Sequence, residues 1–252
     1  IDASGNTGGV TAVLGASNSV KFTGGAGNDS LTLGSSAIAT GKNIDMGAGD
    51  DTLVLAAGTT STTIVGTVTG GAGTDTLSMG YADAVANSLN TNFHSEVTGF
   101  ERLTINNVVG ANDATDTTYT VNLNNLAYNY VTVNGTYTDA DPEADTLSLT
   151  NAMANSTVAF GALSTAGSLY TVALADASGS ADVINYVLAS TNETSATKIA
   201  DTTLGTANNA GTITTNAVET FNITSTAVDA DGAQNVITAN GNAVTTINVS
   251  GN

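Results

Sequence analysis

The sequence predicts an all-β fold, a right-handed parallel β-helix or β-roll solenoid with looped insertions and one short helix. One motif occurs three times, as GGAGNDSLTL at 24–33, MGAGDDTLVL at 46–55 and GGAGTDTLSM at 70–79. Each copy reads as a Gly-rich turn, an acidic corner and an alternating strand. A motif that recurs about every 20 to 25 residues is typical of stacked coils. Aromatic residues make up only 5% of the chain, which suits thin coils filled by small side chains.

The acidic corner predicts a column of like charges. Asp29, Asp51 and Asp75 are 22 and then 24 residues apart (51 − 29 and 75 − 51), so stacking aligns them. Adjacent coils lie about 4.8 Å apart. At that distance, with an effective dielectric constant near 20, two like charges repel by roughly 3 kcal/mol. None of the three motifs contains Lys or Arg, so we expect a bound cation to offset this repulsion.

Calcium is the cation that these turns suit. It takes about six to eight oxygens, mixing carboxylates with backbone carbonyls, and glycines at φ > 0 can point carbonyls inward. The alternative is three Asx-Gly turns that only reverse the chain. We predict several calcium ions. The predicted ligands of the three motifs are Gly25, Gly27, Asn28, Asp29, Asp45, Gly47, Gly49, Asp50, Asp51, Gly71, Gly73 and Asp75.

The three motifs resemble the RTX nonapeptide G-G-x-G-x-D-x-U-x, in which U is a large aliphatic residue and which binds calcium in a parallel β-roll. The first and third copies match every fixed position, from Gly24 to Leu31 and from Gly70 to Leu77. The middle copy has Met46 in place of the first glycine. RTX nonapeptides usually follow one another directly, whereas here 13 residues lie between the nonapeptides 24–32 and 46–54, and 15 between 46–54 and 70–78. We therefore expect calcium along one edge of the solenoid.

Composition narrows the function. The formal net charge is −18, with only four Lys and Arg residues, which argues against nucleic acid and anionic membrane surfaces as partners. No apolar run is long enough to span a bilayer. Cysteine is absent, so a secreted chain of this kind has to be stabilised by something other than disulfides, for which a bound metal is the obvious candidate. The alternative for the charge is an acidic coat that only aids solubility. Ile at position 1 indicates a fragment of a longer protein.

Several side chains are predicted to fill the first half of the core. Residues 1–23 are expected to form incoming coils that lead through Val20 and Phe22 into the first motif. A helix is predicted at 82–89, and His94 beyond it is expected to be structural or exposed. The helix should carry Asp83 near its start and Val85 and Leu89 on one face. The other predicted core residues are Ile38, Ile44, Ile64, Val65, Val68, Phe100, Leu103 and Ile105.

Beyond residue 108 the motif is lost but short strands continue. Asp145 and Asp182 each head a predicted strand, and GSADVINYVL at 179–188 resembles a degraded copy. We predict an RTX-like solenoid at 1–107 that continues through 108–252; the alternative is a second β-domain from about residue 108. The predicted strands are 119–123, 130–133, 145–149, 169–174, 182–188, 218–224 and 244–249.

Two further acidic loops could hold calcium. DADPEAD at 139–145 alternates carboxylates but lacks the glycine and distal glutamate of an EF-hand. VDADG places two carboxylates beside Gly232. In each case the alternative is a solvated acidic loop. The additional candidate ligands are Asp139, Asp141, Asp145, Asp182, Asp229 and Asp231, with Asp113 and Asp116 weaker.

The sequence does not predict an enzyme. His94 is the single histidine, and no triad, zinc motif, P-loop or dinucleotide fingerprint is present. A carboxylate pair for glycoside hydrolysis stays an alternative.

With GFERLTI at 99–105 and VETFNITS at 218–225, the whole pattern resembles RTX-type bacterial surface-layer (S-layer) proteins of the Caulobacter kind. That resemblance implies type I secretion, self-assembly into a calcium-dependent cell-surface lattice, and attachment to surface polysaccharide through other parts of the protein.

Three rival functions remain. An RTX adhesin would need an exposed aromatic face, for which Tyr119, Tyr128, Tyr130 and Tyr137 are candidates. An RTX secretion module would carry denser nonapeptides. An ice-binding solenoid would repeat T-x-T ladders, whereas TTSTT at 59–63 occurs once.

Overall fold

The predicted fold class is confirmed: parallel sheets form a β-solenoid. The computed structural model describes residues 1–15, 21–106, 117–134, 145–160, 169–189, 209–226 and 236–251. Within these ranges lie 19 strands and three short helices. The chain divides into an N-terminal unit (Ile1–Asn106 with Asn122–Tyr128) and a C-terminal unit (Asn107–Val121 with Asn129–Asn252). That the second half continues the coils of the first stays a prediction.

Two parallel sheets build the N-terminal unit, and each coil contributes one strand to each sheet. Small residues and alternating apolar positions favour these short strands over helices. In spatial order, the longer sheet contains β1 (Thr11–Leu14), β3 (Ser30–Leu33), β5 (Thr52–Val54), β7 (Thr76–Gly80) and β9 (Arg102–Asn106), and the shorter one β2 (Phe22–Thr23), β4 (Ile44–Asp45), β6 (Val68–Thr69) and β8 (Val97–Thr98).

In-register pairing stacks identical residues inside this unit. Leu31 pairs with Leu53, Leu53 with Leu77, and Leu77 with Leu103, and all four are fully buried. The predicted burial of Phe22, Ile38, Ile44, Ile64, Val68, Phe100, Leu103 and Ile105 is confirmed. The prediction for Val65 is wrong: this side chain is 62% exposed, since the bridge between Ile38 and Ile64 turns Ile64 inward and its neighbour outward.

The described residues form three helices where one was predicted: α1 (Tyr81–Ser88), α2 (Phe93–Glu96) and α3 (Leu123–Leu126). Asp83 does lie in the first turn of α1, but Leu89 is 79% exposed, so the predicted apolar face is wrong. The buried face of α1 is polar instead. Asn87 accepts a bond from the Ser61 N–H (3.1 Å) and donates to the Thr59 carbonyl (3.0 Å). The helix therefore docks by satisfying backbone groups of a loop.

The C-terminal unit also has two parallel sheets. Its core is more aromatic: the Phe160 ring lies 5.1 Å from that of Tyr170, and Tyr186 lies 5.6 Å from Phe221. All seven predicted strands are confirmed, and three further strands, β13 (Thr157–Phe160), β16 (Asn209–Thr214) and β18 (Val236–Asn240), were not predicted. In spatial order the sheets are β11 (Tyr130–Asn134), β13 (Thr157–Phe160), β15 (Val183–Ala189), β17 (Thr220–Thr226) and β19 (Thr246–Gly251), and β10 (Thr118–Asn122), β12 (Thr146–Ala152), β14 (Leu169–Leu174), β16 (Asn209–Thr214) and β18 (Val236–Asn240).

Within the described ranges, no helix has the length and apolarity that a membrane crossing requires.

Candidate metal centre

The three Gly-rich turns stack directly on one another. They join β2 to β3, β4 to β5 and β6 to β7. Gly71 has φ of +111°, and a Cβ there would lie 1.9 Å from the Gly47 carbonyl oxygen. Gly47, Gly49 and Gly73 likewise have positive φ. In the first copy, Gly25 and Gly27 do not; a Cβ on Gly25 would lie 2.1 Å from the Asn6 carbonyl oxygen, so close packing alone requires glycine there.

The aspartates form a buried column, as the spacing predicted. Asp29, Asp51 and Asp75 are 2%, 1% and 0% exposed. Each carboxylate accepts a hydrogen bond from the corner N–H of the preceding coil. Val10 donates to Asp29 Oδ1 (2.7 Å), Asp29 to Asp51 Oδ1 (2.6 Å) and Asp51 to Asp75 Oδ1 (2.8 Å). The column thus has a structural role that requires no ion.

Asn28, Asp50 and Thr74 form a second column, beside the first and with its bonds reversed. The Asp50 N–H donates to Asn28 Oδ1 (2.9 Å), and the Thr74 N–H donates to Asp50 Oδ1 (2.8 Å). In this column each side chain accepts a hydrogen bond from a backbone N–H of the coil that follows it. Asn28 and Asp50 are exposed, so water reaches this column but not the aspartate column.

Glu101 extends the aspartate column and was not predicted. Its Oε2 accepts a bond from the Asp75 N–H (2.8 Å). Glu219 does the same for Asp182 (2.9 Å) in the C-terminal unit. Each glutamate follows a residue at positive φ, Gly99 or Ala217, and one buried apolar residue. Aligning GFERLTI with AVETFNI would have revealed this shared corner from sequence.

Two buried oxygens of the column lack a hydrogen-bond partner among the described residues. They are Oδ2 of Asp51 and Oδ2 of Asp75. In the first copy, by contrast, Asp29 Oδ2 accepts a bond from the Gly25 N–H (3.1 Å). Leaving buried carboxylate oxygens unpaired is costly.

The electrostatics of the column reflect this burial. Desolvation raises the pKa of Asp51, opposed by the bond from the Asp29 N–H. Desolvation also raises the pKa of Asp75 to about 6, with repulsion from Asp51, Glu101 and Asp50 adding to it. Both carboxylates are therefore short of a positive partner.

The surroundings of these oxygens favour calcium binding in one respect and argue against it in another. Unpartnered carboxylate oxygens beside closely packed glycine turns supply the mixed donor set that calcium accepts. Among the described residues, however, no group of three or more Asp, Glu, His or Cys side chains is arranged to hold a metal. An ion here would therefore need ligands other than acidic side chains to complete its coordination.

The remaining predicted ligands are dispersed. Asp45 lies on β4, outside the column, and accepts a bond from the Gly47 N–H (3.2 Å). Asp145 precedes β12 and accepts one from the Thr117 N–H (2.8 Å). Asp182 precedes β15, and its buried Oδ2 has no partner in the described part of the chain. Asp113, Asp116, Asp139, Asp141, Asp229 and Asp231 lie outside the described residues.

Comparison with protein-family models, curated proteins and solved structures found no match.

Proposed function

We propose that this chain is a structural segment of a calcium-dependent bacterial surface layer, which is secreted and assembles into a two-dimensional coat. The observation that carries the proposal is the buried aspartate column. Asp51 and Asp75 are almost fully buried, and each keeps one oxygen without a described partner. The second and third copies of one motif place these two oxygens at the same corner of successive coils.

The chain's own residues hold the corner in a fixed geometry. The N–H bonds to Oδ1 orient each carboxylate, and the glycines bring neighbouring turns into backbone contact. When bound, calcium would supply the positive charge that this column lacks. Because a site of this kind does not exist in the unfolded chain, its binding energy would add to folding stability.

A structural coat suits the described surface better than an adhesin does. Tyr128 is only 4% exposed, so it cannot join the other candidate tyrosines in an exposed aromatic face, and Tyr137 lies outside the described residues. The motif copies are also three coils, not the dense nonapeptide array of a secretion module.

The test is a calcium titration followed by circular dichroism and light scattering, with two substitutions at one position. Asp51→Asn keeps the acceptor for the Asp29 N–H but removes the charge, whereas Asp51→Ala removes both. We expect Asp51→Asn to fold without calcium and to lose at least about tenfold in calcium affinity. Asp51→Ala should be less stable even without the ion.

The matched control is Asp176→Asn, because Asp176 is exposed and lies outside the column. It should leave both calcium affinity and assembly unchanged. An Asp51→Asn protein that takes up calcium like the unsubstituted chain would refute the metal site. Calcium uptake without ordered sheets would refute the coat alone.

A further inference from the structure

One face of the C-terminal unit carries a regular array of hydroxyl groups. It is the outward face of the sheet that β10, β12, β14, β16 and β18 form. Residues at alternate positions of these strands fill the core, as Leu147, Tyr170 and Ile213 show at 0%, 7% and 0% exposure. Their neighbours point outward and are exposed or partly exposed. In spatial order, these outward residues are Thr118 and Thr120, Thr146 and Ser148, Leu169 and Thr171, Thr212 and Thr214, and Thr238 and Asn240.

The backbone register aligns the outward residues in two rows across the sheet. The first row joins Thr146, Leu169, Thr212 and Thr238, and the second joins Ser148, Thr171, Thr214 and Asn240. β10 extends both rows, since the Thr146 N–H donates to the Thr117 carbonyl (2.9 Å). Adjacent strands lie about 4.8 Å apart, and alternate residues of one strand about 6.6 Å apart. The array therefore repeats in two directions.

No fixed period in the sequence reveals these rows. Successive members of the first row are 23, 43 and 26 residues apart (169 − 146, 212 − 169 and 238 − 212). The loops between the strands differ in length, so only the strand pairing brings the threonines into line. A search for one repeated T-x-T string could not find them.

The side chains of the array are held in place before any ligand arrives. The Thr171 hydroxyl donates to the Ser148 hydroxyl across neighbouring strands (2.8 Å). Threonine is also stiff at χ1, because two heavy atoms branch from its Cβ. Binding through such groups loses little conformational entropy.

This face is uncharged and weakly apolar. The five strands contain no Asp, Glu, Lys or Arg, although the chain has a net charge of −18. Leu169 is the only outward residue of the ten without a hydroxyl or amide group. A charged partner would find no opposite charge here, and a protein interface usually has a more apolar centre.

We infer that this face binds the surface of an ice crystal. Ice is neutral and rigid, and it presents oxygen atoms in a lattice with repeat distances of the same order as those of the array. One hydroxyl gains little by exchanging liquid water for ice, because the two hydrogen bonds are similar. Adsorption therefore requires many groups at fixed spacing that act together, which the two rows provide.

A carbohydrate ligand matches the face less well. Small-ligand sites are usually concave and lined with aromatic side chains, and none of the ten outward residues is aromatic. Ice binding also uses none of the residues of the aspartate column. It therefore stands apart from the proposed function and can fail without it.

Partition into slowly growing polycrystalline ice tests the inference. The full chain is used in calcium-containing buffer, with serum albumin in the same tube as a protein that ice excludes. We expect the chain to be enriched in the ice at least about tenfold over albumin, since many weak contacts add to a net affinity. It should also arrest the growth of a seeded crystal just below the melting point.

Two matched substitutions locate the binding face. Thr214→Arg should reduce adsorption to ice at least about tenfold, because the guanidinium keeps its hydration and holds the array off the crystal. Thr224→Arg, the same change at a partly exposed position of β17 in the other sheet, should leave adsorption unchanged. Circular dichroism checks that both variants fold. Thr238→Arg, at an exposed position of the array, gives the same test if Thr214→Arg does not fold.

Three results would overturn the inference. The first is exclusion of the unsubstituted chain from ice to the same degree as albumin. The second is an equal loss of adsorption from Thr214→Arg and Thr224→Arg. The third is adsorption to powdered crystalline cellulose or chitin without adsorption to ice, which would identify the face as a carbohydrate site.

Discussion

The two units use the same hydrogen bonds at a corner but surround them with different turns. In the N-terminal unit the Asp75 N–H donates to Glu101, and in the C-terminal unit the Asp182 N–H donates to Glu219. The Asp75 carbonyl accepts from Arg102 and the Asp182 carbonyl from Thr220, both at 3.0 Å. Only the first corner follows a GGAG turn. The acidic residue and the glycines therefore encode separable properties.

That separation clarifies what the repeated motif contributes to the fold when no ion is bound. The carboxylate fixes one coil to the next through a backbone N–H, in both units. The glycines let turns approach to backbone contact, and this happens in the three motif copies of the N-terminal unit. If calcium binds, we therefore expect it at the Gly-rich turns of the N-terminal unit and not at every corner that has a carboxylate.

We expect the largest loss in the free energy of unfolding when a side chain in the core of either unit is truncated. Phe221→Ala should cost about 3–5 kcal/mol in the free energy of unfolding and Leu77→Ala about 2–5 kcal/mol, because both side chains are fully enclosed. Leu89→Ala, at a 79% exposed position, should cost under about 0.5 kcal/mol. Urea denaturation monitored by circular dichroism measures all three. Equal losses for Leu77→Ala and Leu89→Ala would contradict the assigned core.

Glycine substitution separates the two kinds of turn. Gly71→Ala should cost at least about 2 kcal/mol, because its φ is positive and the new Cβ would overlap the Gly47 carbonyl. Gly179→Ala, just before the Asp182 corner, should cost under about 0.5 kcal/mol, since only the Asp182 carboxylate lies near, at 3.2 Å. Thermal melting of both variants in chelator provides the comparison. If Gly71→Ala melted at the same temperature as the unsubstituted protein, the turns could not stack as described.

The shared corner should respond alike in both units. Glu101→Ala and Glu219→Ala each remove the acceptor of one corner N–H, so each should cost about 1–2 kcal/mol without calcium. Glu101→Gln and Glu219→Gln keep an oxygen acceptor and should recover most of that loss. Denaturant midpoints test the pairs, and a loss confined to one unit would show that the corners are not equivalent.

The last expected effect is a pH dependence in the calcium-free protein. The folded pKa of Asp75 is about 6, above its ordinary value of 3.8, so the folded state holds this proton more tightly than the unfolded state. This group should therefore make the protein more stable as pH falls from 7 through 6 towards 4. Asp75→Asn should abolish that part of the slope in a thermal melt. A slope unchanged by the substitution would contradict the raised pKa.

Sequence reasoning recovered the solenoid and the Asp29, Asp51 and Asp75 column because exact spacing fixes both. It did not foresee that the carboxylates accept backbone N–H groups, since that depends on the offset between neighbouring coils. It missed Glu101 and Glu219 because their turns are shorter than the repeated motif. The predicted burial of Leu89 was wrong because α1 packs through polar contacts with loop backbone groups. The spacing of apolar residues does not show which face of such a helix is buried.

The opposed columns at the corner have a consequence for how such a chain can change in length. Across one boundary, the Asp29 N–H relies on Asp51 while the Asp50 N–H relies on Asn28. Deleting half a coil would leave N–H groups on both sides of the boundary without their acceptors. Deleting all 22 residues from one aspartate to the next (51 − 29) would instead join two equivalent positions, so that the same bonds could form again. Insertions and deletions in this unit should therefore survive only as whole coils, and its length should evolve in steps.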